Sequence, residues 1–227
     1  IGETDRFNTE FDIRTSAGNV LGNAFIDLSQ NISKYKGDIS ATNLNIGKII
    51  KDKTLESNIN GDFIVDTDGF DYKTATGKLN YKISRTKFFE QNIARSEGQI
   101  NFKRGNAGLN VTYNSDAINA KVAGKVNISN INNISYDLKG TATNLNIASF
   151  TKDNSLRSSL NFDFNINGRG FNPDAMTGDY KISMNKSEFA GFEIPATPLD
   201  VIIGSDGSVK KISMKSDFAD LSLSGAF

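Results

Sequence analysis

The chain of 227 residues carries 26 basic and 26 acidic side chains, so its formal net charge is zero, and 37% of its residues are hydrophobic. This balance excludes wholesale disorder, the basic surface typical of a nucleic-acid-binding protein and an acidic tail. Cysteine and histidine are both absent from the sequence, which excludes disulfides, thiolate catalysis and the commonest metal ligand and general base.

Apolar and polar residues alternate with a period of two through most of the chain. In the segment Leu160 to Asn167, LNFDFNIN, every second residue is apolar and the others are polar. This pattern predicts strands with one apolar face. The predicted strands, in chain order, are Phe7 to Arg14, Asn19 to Leu28, Tyr35 to Leu44, Leu55 to Asp66, Lys78 to Phe88, Glu97 to Lys103, Gly108 to Asn114, Ala117 to Ile128, Ile134 to Leu145, Leu156 to Asn167, Gly178 to Lys186, Leu199 to Ile203, Ser208 to Met214 and Phe218 to Phe227.

Only short segments depart from the alternation. Gly47 to Lys53 and Ala148 to Asn154 predict single helical turns, and Asn172-Pro173 has the pattern of a helix start. None of these segments is long enough to cover a sheet. The apolar side must therefore pack on another sheet, close into a barrel or curl around something apolar.

The sequence also repeats itself. The six residues ATNLNI occur at Ala41 to Ile46 and again at Ala142 to Ile147, and the match extends without a gap from Tyr35–Gly77 onto Tyr136–Gly178. After a shift of two residues, YKIS at position 81 meets YKIS at position 180. Conserved order over this length predicts a shared structural unit of about 100 residues.

The repeat divides the chain into three parts. Residues 1–34 are expected to end a preceding repeat unit, residues 35–133 to form a first repeat and residues 134–227 a second, within one continuous sheet rather than separate domains. Because the sequence begins with isoleucine, we expect it to be an excised fragment of a longer protein. It contains neither a signal peptide nor an apolar run of the roughly 18 residues that a membrane helix needs.

Two features of the sequence could indicate a polar functional site: a run of alternating carboxylates and the many serine, lysine and carboxylate side chains. Asp66 to Asp71, DTDGFD, resembles the start of a calcium loop, but the repeat reads NGRGFN and replaces the middle aspartate with arginine. Both copies keep Gly-Phe, which favours a turn with an apolar plug over a metal site. Serine, lysine and carboxylate side chains lie on the alternating polar faces, so we predict no catalytic residue, no metal and no cofactor.

Two ordinary β folds compete with a curled sheet. A closed β-sandwich would hide the same apolar faces in its core. An outer-membrane barrel would explain the final pattern of Leu221, Leu223, Gly225 and Phe227. Against the barrel, tryptophan is absent and the aromatic residues form no girdles.

The repeated order of motifs is similar to that of a known family. The first copy contains, in order, ATNLNIG, KD followed by a leucine, NINGDFIVDTDGF, TG and LNYKISRTKFFEQNI. The second copy begins with the same ATNLNI and ends in TGDYKISMNKSEFAGFEI. This order resembles the repeats of the AsmA-like family, in particular its TamB members of the Bacteroidota type. The resemblance covers nearly the whole chain through a loose pattern of small and apolar residues.

Membership would imply an elongated antiparallel β-sheet, curled into a taco-shaped groove with a hydrophobic interior and only short helical turns. Proteins of this type are the inner-membrane subunits of the translocation and assembly module, and they reach across the periplasm. They are associated with phospholipid transport and with outer-membrane protein assembly beside an Omp85-type barrel. The resemblance brings no catalytic residues, and the membrane anchor and barrel-contacting regions would lie outside this segment.

The alternation and the lack of covering helices fit this implication independently, and they motivate the hypothesis of an apolar groove that carries phospholipid acyl chains. A strand-binding scaffold for outer-membrane β-barrel proteins, without lipid conduction, is the alternative, since exposed strand edges accept further strands. A sandwich adhesin is a third interpretation. The predicted lining of the lipid groove is Ile59, Phe63, Val65, Ile83, Val111, Val122, Val126, Leu160, Phe162, Phe164, Ile166, Ile182 and Met184.

Overall fold

A computed structural model describes residues 5–88, 91–170, 176–206, 209–217 and 220–225. Over these residues the fold is all-β, as the alternation predicted, and the strands pair antiparallel in a sheet that is not closed into a barrel. The chain divides into two compact units, unit 1 (Ile1–Asp116) and unit 2 (Ala117–Phe227).

Unit 1 is an antiparallel meander in which each strand pairs with the next along the chain. A short helix, α1 (Ile46–Ile50), and a 3-10 turn (Lys53–Leu55) connect the third strand to the fourth. The strands are β1 (Arg6–Thr15), β2 (Gly18–Asp27), β3 (Lys34–Leu44), β4 (Ser57–Asp68), β5 (Thr76–Phe88), β6 (Gln91–Lys103) and β7 (Asn106–Ser115).

Unit 2 follows the same plan, with α2 (Ile147–Thr151) and a 3-10 turn (Asn154–Leu156) between its second and third strands. The main path runs β8, β9, β10, β11, β14, β15 and β16, while β12 pairs with β10 and β13. The strands are β8 (Asn119–Asn127), β9 (Ser135–Leu145), β10 (Ser158–Arg169), β11 (Thr177–Met184), β12 (Ser187–Phe189), β13 (Phe192–Ile194), β14 (Thr197–Asp206), β15 (Val209–Ser216) and β16 (Asp220–Gly225).

Most strands begin and end within a few residues of their predicted bounds, and both predicted helical turns are confirmed. The prediction missed the first part of β6, where an irregularity in the pairing with β7 between Ile93 and Arg95 interrupts the alternation. It also missed the two three-residue strands β12 and β13, which lie between the predicted strands Gly178 to Lys186 and Leu199 to Ile203. The helix start expected at Asn172-Pro173 lies outside the described residues.

The two helical turns are held by equivalent hydrogen bonds. The Ser57 hydroxyl accepts from the Ile46 N–H at 2.8 Å and donates to the Leu44 carbonyl at 3.3 Å. Its counterpart Ser158 accepts from the Ile147 N–H at 2.8 Å and donates to the Leu145 carbonyl at 3.1 Å. Each ATNLNI motif therefore ends one strand and begins a turn that a serine on the next strand fastens.

The register of β5 on β4 and of β11 on β10 shows that the two repeats stay equivalent through a further strand. No shift of two residues is needed, although the sequence suggested one. Phe63 opposes Tyr81 in unit 1, and Phe164 opposes Ile182 in unit 2. Because residues 63 and 164 pair with residues 81 and 182, the spacing of 101 positions continues through the next strand. The sequence match of the two YKIS segments is thus not a match in the sheet.

The molecule has little conventional core. Among the described residues, no large side chain is fully buried, and substantial contacts join only elements that are neighbours within each unit. A closed sandwich, which was one of the alternatives, would need a second layer that neither unit supplies in its described residues.

Candidate functional site

Register aligns the apolar residues of unit 1 into rows that cross the strands, since directly opposed residues lie on the same face of a sheet. We call the surface formed by these rows the apolar face. From β1 to β7, the rows are Phe7, Ile26, Tyr35, Thr67, Gly77, Phe102 and Ala107; Thr9, Ala24, Gly37, Val65, Leu79, Ile100 and Leu109; Phe11, Gly22, Ile39, Phe63, Tyr81, Gly98 and Val111; and Ile13, Val20, Ala41, Gly61, Ile83, Ser96 and Tyr113.

Unit 2 has an apolar face of the same kind. Its central row passes through Phe164, which opposes Gly140 on one side and Ile182 on the other. The rows, from β8 onward, are Val126, Tyr136, Gly168, Gly178 and Ile203; Gly124, Leu138, Ile166, Tyr180, Val201 and Leu221; Val122, Gly140, Phe164, Ile182 and Leu199; and Ala120, Ala142, Phe162, Met184 and Thr197.

The residues proposed from the sequence to line a groove lie in the rows of the apolar face of their own unit, except that Ile59 and Leu160 lie two residues beyond the last row on the same side of their strand. Each of them is partly buried. Unit 1 contributes Ile59, Phe63, Val65, Ile83 and Val111, and unit 2 contributes Val122, Val126, Leu160, Phe162, Phe164, Ile166, Ile182 and Met184.

Sequence reasoning missed further members of the same face, because it selected only the strongest alternating runs. The register adds Leu79, Ile100 and Leu109 in the row of Val65, and Leu138 and Tyr180 in the row of Ile166. Alternation within their own strands was the signal that could have found them.

Glycines on the apolar face lie beneath large side chains of neighbouring strands. A Cβ atom added to Gly140 would lie 2.8 Å from the Cζ atom of Phe164 and would also collide with the carbonyl oxygen of Lys121. One added to Gly98 would lie 2.9 Å from both the Tyr81 ring and the Val111 side chain. Aromatic and branched side chains thus fill the space above these glycines, so the face is continuous.

Hydroxyl groups on the apolar face find partners within the protein. The Tyr136 and Tyr180 hydroxyls are 2.8 Å apart, and the Tyr136 hydroxyl lies 3.2 Å from the Gly170 carbonyl oxygen. Among the described residues, no buried side-chain nitrogen or oxygen lacks a hydrogen-bond partner. Burial, together with the hydrogen bond to Tyr136, raises the pKa of Tyr180 and keeps its hydroxyl neutral.

The opposite face is polar. Lys36 and Asp66 oppose each other in β3 and β4 and form an ion pair at 3.2 Å. Two shallow depressions lie on this side of unit 1 and share Ile64, a side chain that is 50% exposed. Charged and amide side chains surround Ile64 in both depressions.

The Gly-Phe pair does not act as an apolar plug in unit 1. Phe70 is 72% exposed, and its ring stacks on Tyr35 with a centroid distance of 4.1 Å. Gly69 and Gly170 instead have φ angles of 76° and 71°. The Gly69 N–H donates to the carbonyl of Ser33, directly before β3, and the Gly170 N–H donates to the carbonyl of Ile134, directly before β9. The glycine is explained by this left-handed backbone, while Phe171 lies outside the described residues.

No group of three or more carboxylates arranged for a metal ion occurs within the part of the chain that the structure describes. In that same part, no helix has the length and hydropathy to cross a bilayer.

Comparisons of the chain with protein-family models, with curated proteins and with solved structures gave no match.

Proposed function

We propose that the apolar faces of this protein carry the acyl chains of phospholipids. The protein would act as a periplasmic segment of an inner-membrane-anchored, AsmA-like protein that moves lipid between the inner and outer membranes and supports outer-membrane protein assembly. The observation that carries this proposal is a sheet with one continuous apolar side that no second layer covers within the described residues of either unit.

The apolar face is long enough for a lipid tail. From Ile59 to Thr67, β4 advances about 27 Å at roughly 3.4 Å per residue. One leaflet of a bilayer has a hydrocarbon thickness of about 15 Å, half of the roughly 30 Å core. An acyl chain lying along the strands would therefore fit on the face, with its headgroup beyond the strand ends.

The transfer free energy of an acyl chain favours its movement between membrane and protein over tight binding to the protein. An acyl chain gains about 0.8 kcal/mol for each CH₂ group that leaves water, whether it enters a bilayer or an apolar protein surface. Transfer between the two is therefore close to neutral. In the described residues, side chains fill the space above Gly98 and Gly140, and no buried side-chain nitrogen or oxygen lacks a hydrogen-bond partner, so these positions would not trap a sliding chain.

The proposal is tested by native mass spectrometry of the purified protein, in which bound phospholipid is expected. Phe164→Asp places a charge in the centre of the apolar face and should abolish most of the bound lipid. Asn165→Asp is the matched control, because Asn165 is the next residue of β10 and is exposed on the polar face. Absence of lipid from the wild type, or equal lipid in the wild type and Phe164→Asp, would contradict the proposal.

A further inference from the structure

Several strands of each unit interrupt their alternation near the end that carries the helical turn. Each interruption leaves two consecutive residues exposed between residues that are buried or half-buried. β-Bulges, in which one strand carries an extra residue, explain this pattern, because the register of the pairing shifts at the same places. The exposed pairs are Thr42 and Asn43 in β3, Ser84 and Arg85 in β5, Ala94 and Arg95 in β6, Thr143 and Asn144 in β9, and Asn185 and Lys186 between β11 and β12.

The bulge in β3 returns an apolar residue to the apolar face. Leu44 lies three positions after Ala41 of the face, so strict alternation would turn Leu44 outward and Asn43 inward. With the bulge, the Cα of Leu44 instead opposes that of Ile59, which lies two residues from Gly61 on the apolar side of β4. The bulge therefore adds a further row to the face and keeps a polar side chain out of it.

The neighbouring strands continue this added row, which we call the fifth row. Thr86 and Ile93 oppose each other in β5 and β6, and both are buried, whereas Arg85 is exposed. Unit 2 repeats the arrangement, with the Cα of Leu145 opposite that of Leu160. The fifth row comprises Leu44, Ile59, Thr86 and Ile93 in unit 1, and Leu145, Leu160 and Ser187 in unit 2.

One asparagine of unit 1 holds the bulges on both sides of its strand. The side-chain oxygen of Asn60 accepts from the Asn43 N–H at 2.9 Å, and its amide group donates to the Arg85 carbonyl at 2.9 Å. The backbone N–H of Asn60 donates to the Thr86 hydroxyl at 3.0 Å. Since Asn43 and Arg85 have φ angles of 52° and 46°, Asn60 fastens the two left-handed residues that form these bulges.

Asn161 makes the same three hydrogen bonds in unit 2. Its side chain accepts from the Asn144 N–H at 3.0 Å and donates to the Lys186 carbonyl at 2.9 Å. Its backbone N–H donates to the Ser187 hydroxyl at 2.9 Å. The same network in both repeats indicates that each fifth row is held in place by one asparagine.

We propose that Asn60 and Asn161 are positioning residues that hold the fifth row on the apolar face and thereby set the length of acyl chain that each unit accommodates. This inference rests on the proposed function and adds a preference for tail length. At roughly 3.4 Å per residue, the fifth row supplies about 7 Å of the roughly 27 Å between Ile59 and Thr67 of β4. A long acyl chain lying along the strands needs this last part of the face, and a short one does not.

The test measures the affinity of the whole chain for monoacyl phosphatidylcholines with lauroyl, myristoyl, palmitoyl and stearoyl tails, by calorimetry below their micelle concentrations. In the double variant Asn60→Ala, Asn161→Ala the bulges are no longer held, so affinity should stop rising at a shorter tail than in the wild type. Binding of the lauroyl lipid should be unchanged. Affinity for the stearoyl lipid should fall by about fourfold or more, since each CH₂ group that loses its contact costs about fourfold.

A second double variant, Leu44→Ser with Leu145→Ser, tests the fifth row directly because both asparagines stay in place. It should change the length dependence in the same way. Asn23→Ala with Asn165→Ala is the matched control, since these two asparagines are exposed on the polar face and should behave like the wild type.

Hydrogen exchange shows whether the bulges are released. The backbone amides of Asn43 and Asn144 should exchange faster in the Asn60→Ala, Asn161→Ala variant than in the wild type, because each loses its acceptor. Unchanged exchange would overturn the inference, since the asparagine side chains would then not hold the bulges.

The length dependence separates selection of the tail from a purely structural role. An equal loss of affinity at every tail length, or an unchanged length dependence in both double variants, overturns the inference and leaves the proposed function standing. Absence of binding of every lipid to the wild type overturns the inference and the proposed function together.

Discussion

The hydroxyl oxygens of Tyr136 and Tyr180 lie 2.8 Å apart, above the backbone of Gly168. In unit 1 the position of Gly168 is taken by Thr67, whose hydroxyl donates to the Gly69 carbonyl at 2.9 Å. The Tyr136 hydroxyl meets the equivalent Gly170 carbonyl in unit 2. The two units thus use different side chains, Thr67 in unit 1 and Tyr136 in unit 2, to donate to the equivalent glycine carbonyl. The two tyrosine hydroxyls occupy the space above residue 168, so that residue must be glycine.

Removal of one hydroxyl of this pair should destabilise the protein. Tyr180→Phe loses the hydrogen bond to Tyr136 while the ring remains, so the free energy of unfolding should fall by about 1 kcal/mol. Urea denaturation measures this change. Tyr72→Phe, in an exposed loop position, is the control and should have little effect; equal losses in the two variants would contradict a role for the pair.

The same pair predicts a dependence of stability on alkaline pH. Burial and the hydrogen bond to Tyr136 raise the pKa of Tyr180 in the folded protein, whereas tyrosine in an unfolded chain ionises near pH 10. The stability that Tyr180 contributes is therefore complete below about pH 10 and is lost as the pH rises above it. Between pH 9 and 11, the wild type should lose stability more steeply than Tyr180→Phe, and parallel curves would refute this origin.

Gly140 should tolerate no side chain. In Gly140→Ala the new methyl group would meet the Phe164 ring and the Lys121 carbonyl oxygen, so we expect a loss of about 1–3 kcal/mol in the free energy of unfolding. Gly204→Ala is a matched strand control, because nothing lies within 4 Å of its added Cβ. That control should be neutral or slightly stabilising, and thermal unfolding of both variants tests the contrast.

The serine that fastens each helical turn should also matter. Ser57→Ala leaves the Ile46 N–H without its partner in a part-buried site, at a cost of about 1–3 kcal/mol. Ser158→Ala should lose a similar amount in unit 2 because it breaks the same bond at the same 2.8 Å length. Ser213→Ala, on an exposed site in β15, should change little. Hydrogen exchange at Ile46 and Ile147 reports each loss locally.

The alternation of apolar and polar residues identified most of the strands, because whether a segment forms a one-faced strand can be read from residues that are close together in the sequence. A strand needs an apolar residue at every second position to form one apolar face, and the segment LNFDFNIN of β10 has this pattern throughout. The repeat was equally plain, since ATNLNI ends β3 and β9 in the same way. The first part of β6 escaped detection because the pairing irregularity near Ile93 breaks the period.

The sequence by itself determined most of the strands, both short turns and the apolar face of the strongest alternating runs. Tertiary structure decided the register that places Phe164 over Gly140, residues 24 positions apart in the chain. It also decided how far these faces are covered: among the described residues, no large side chain is fully buried. Alternation produces the same apolar face in a sandwich and in an open sheet, so only the path of the chain shows whether that face is covered.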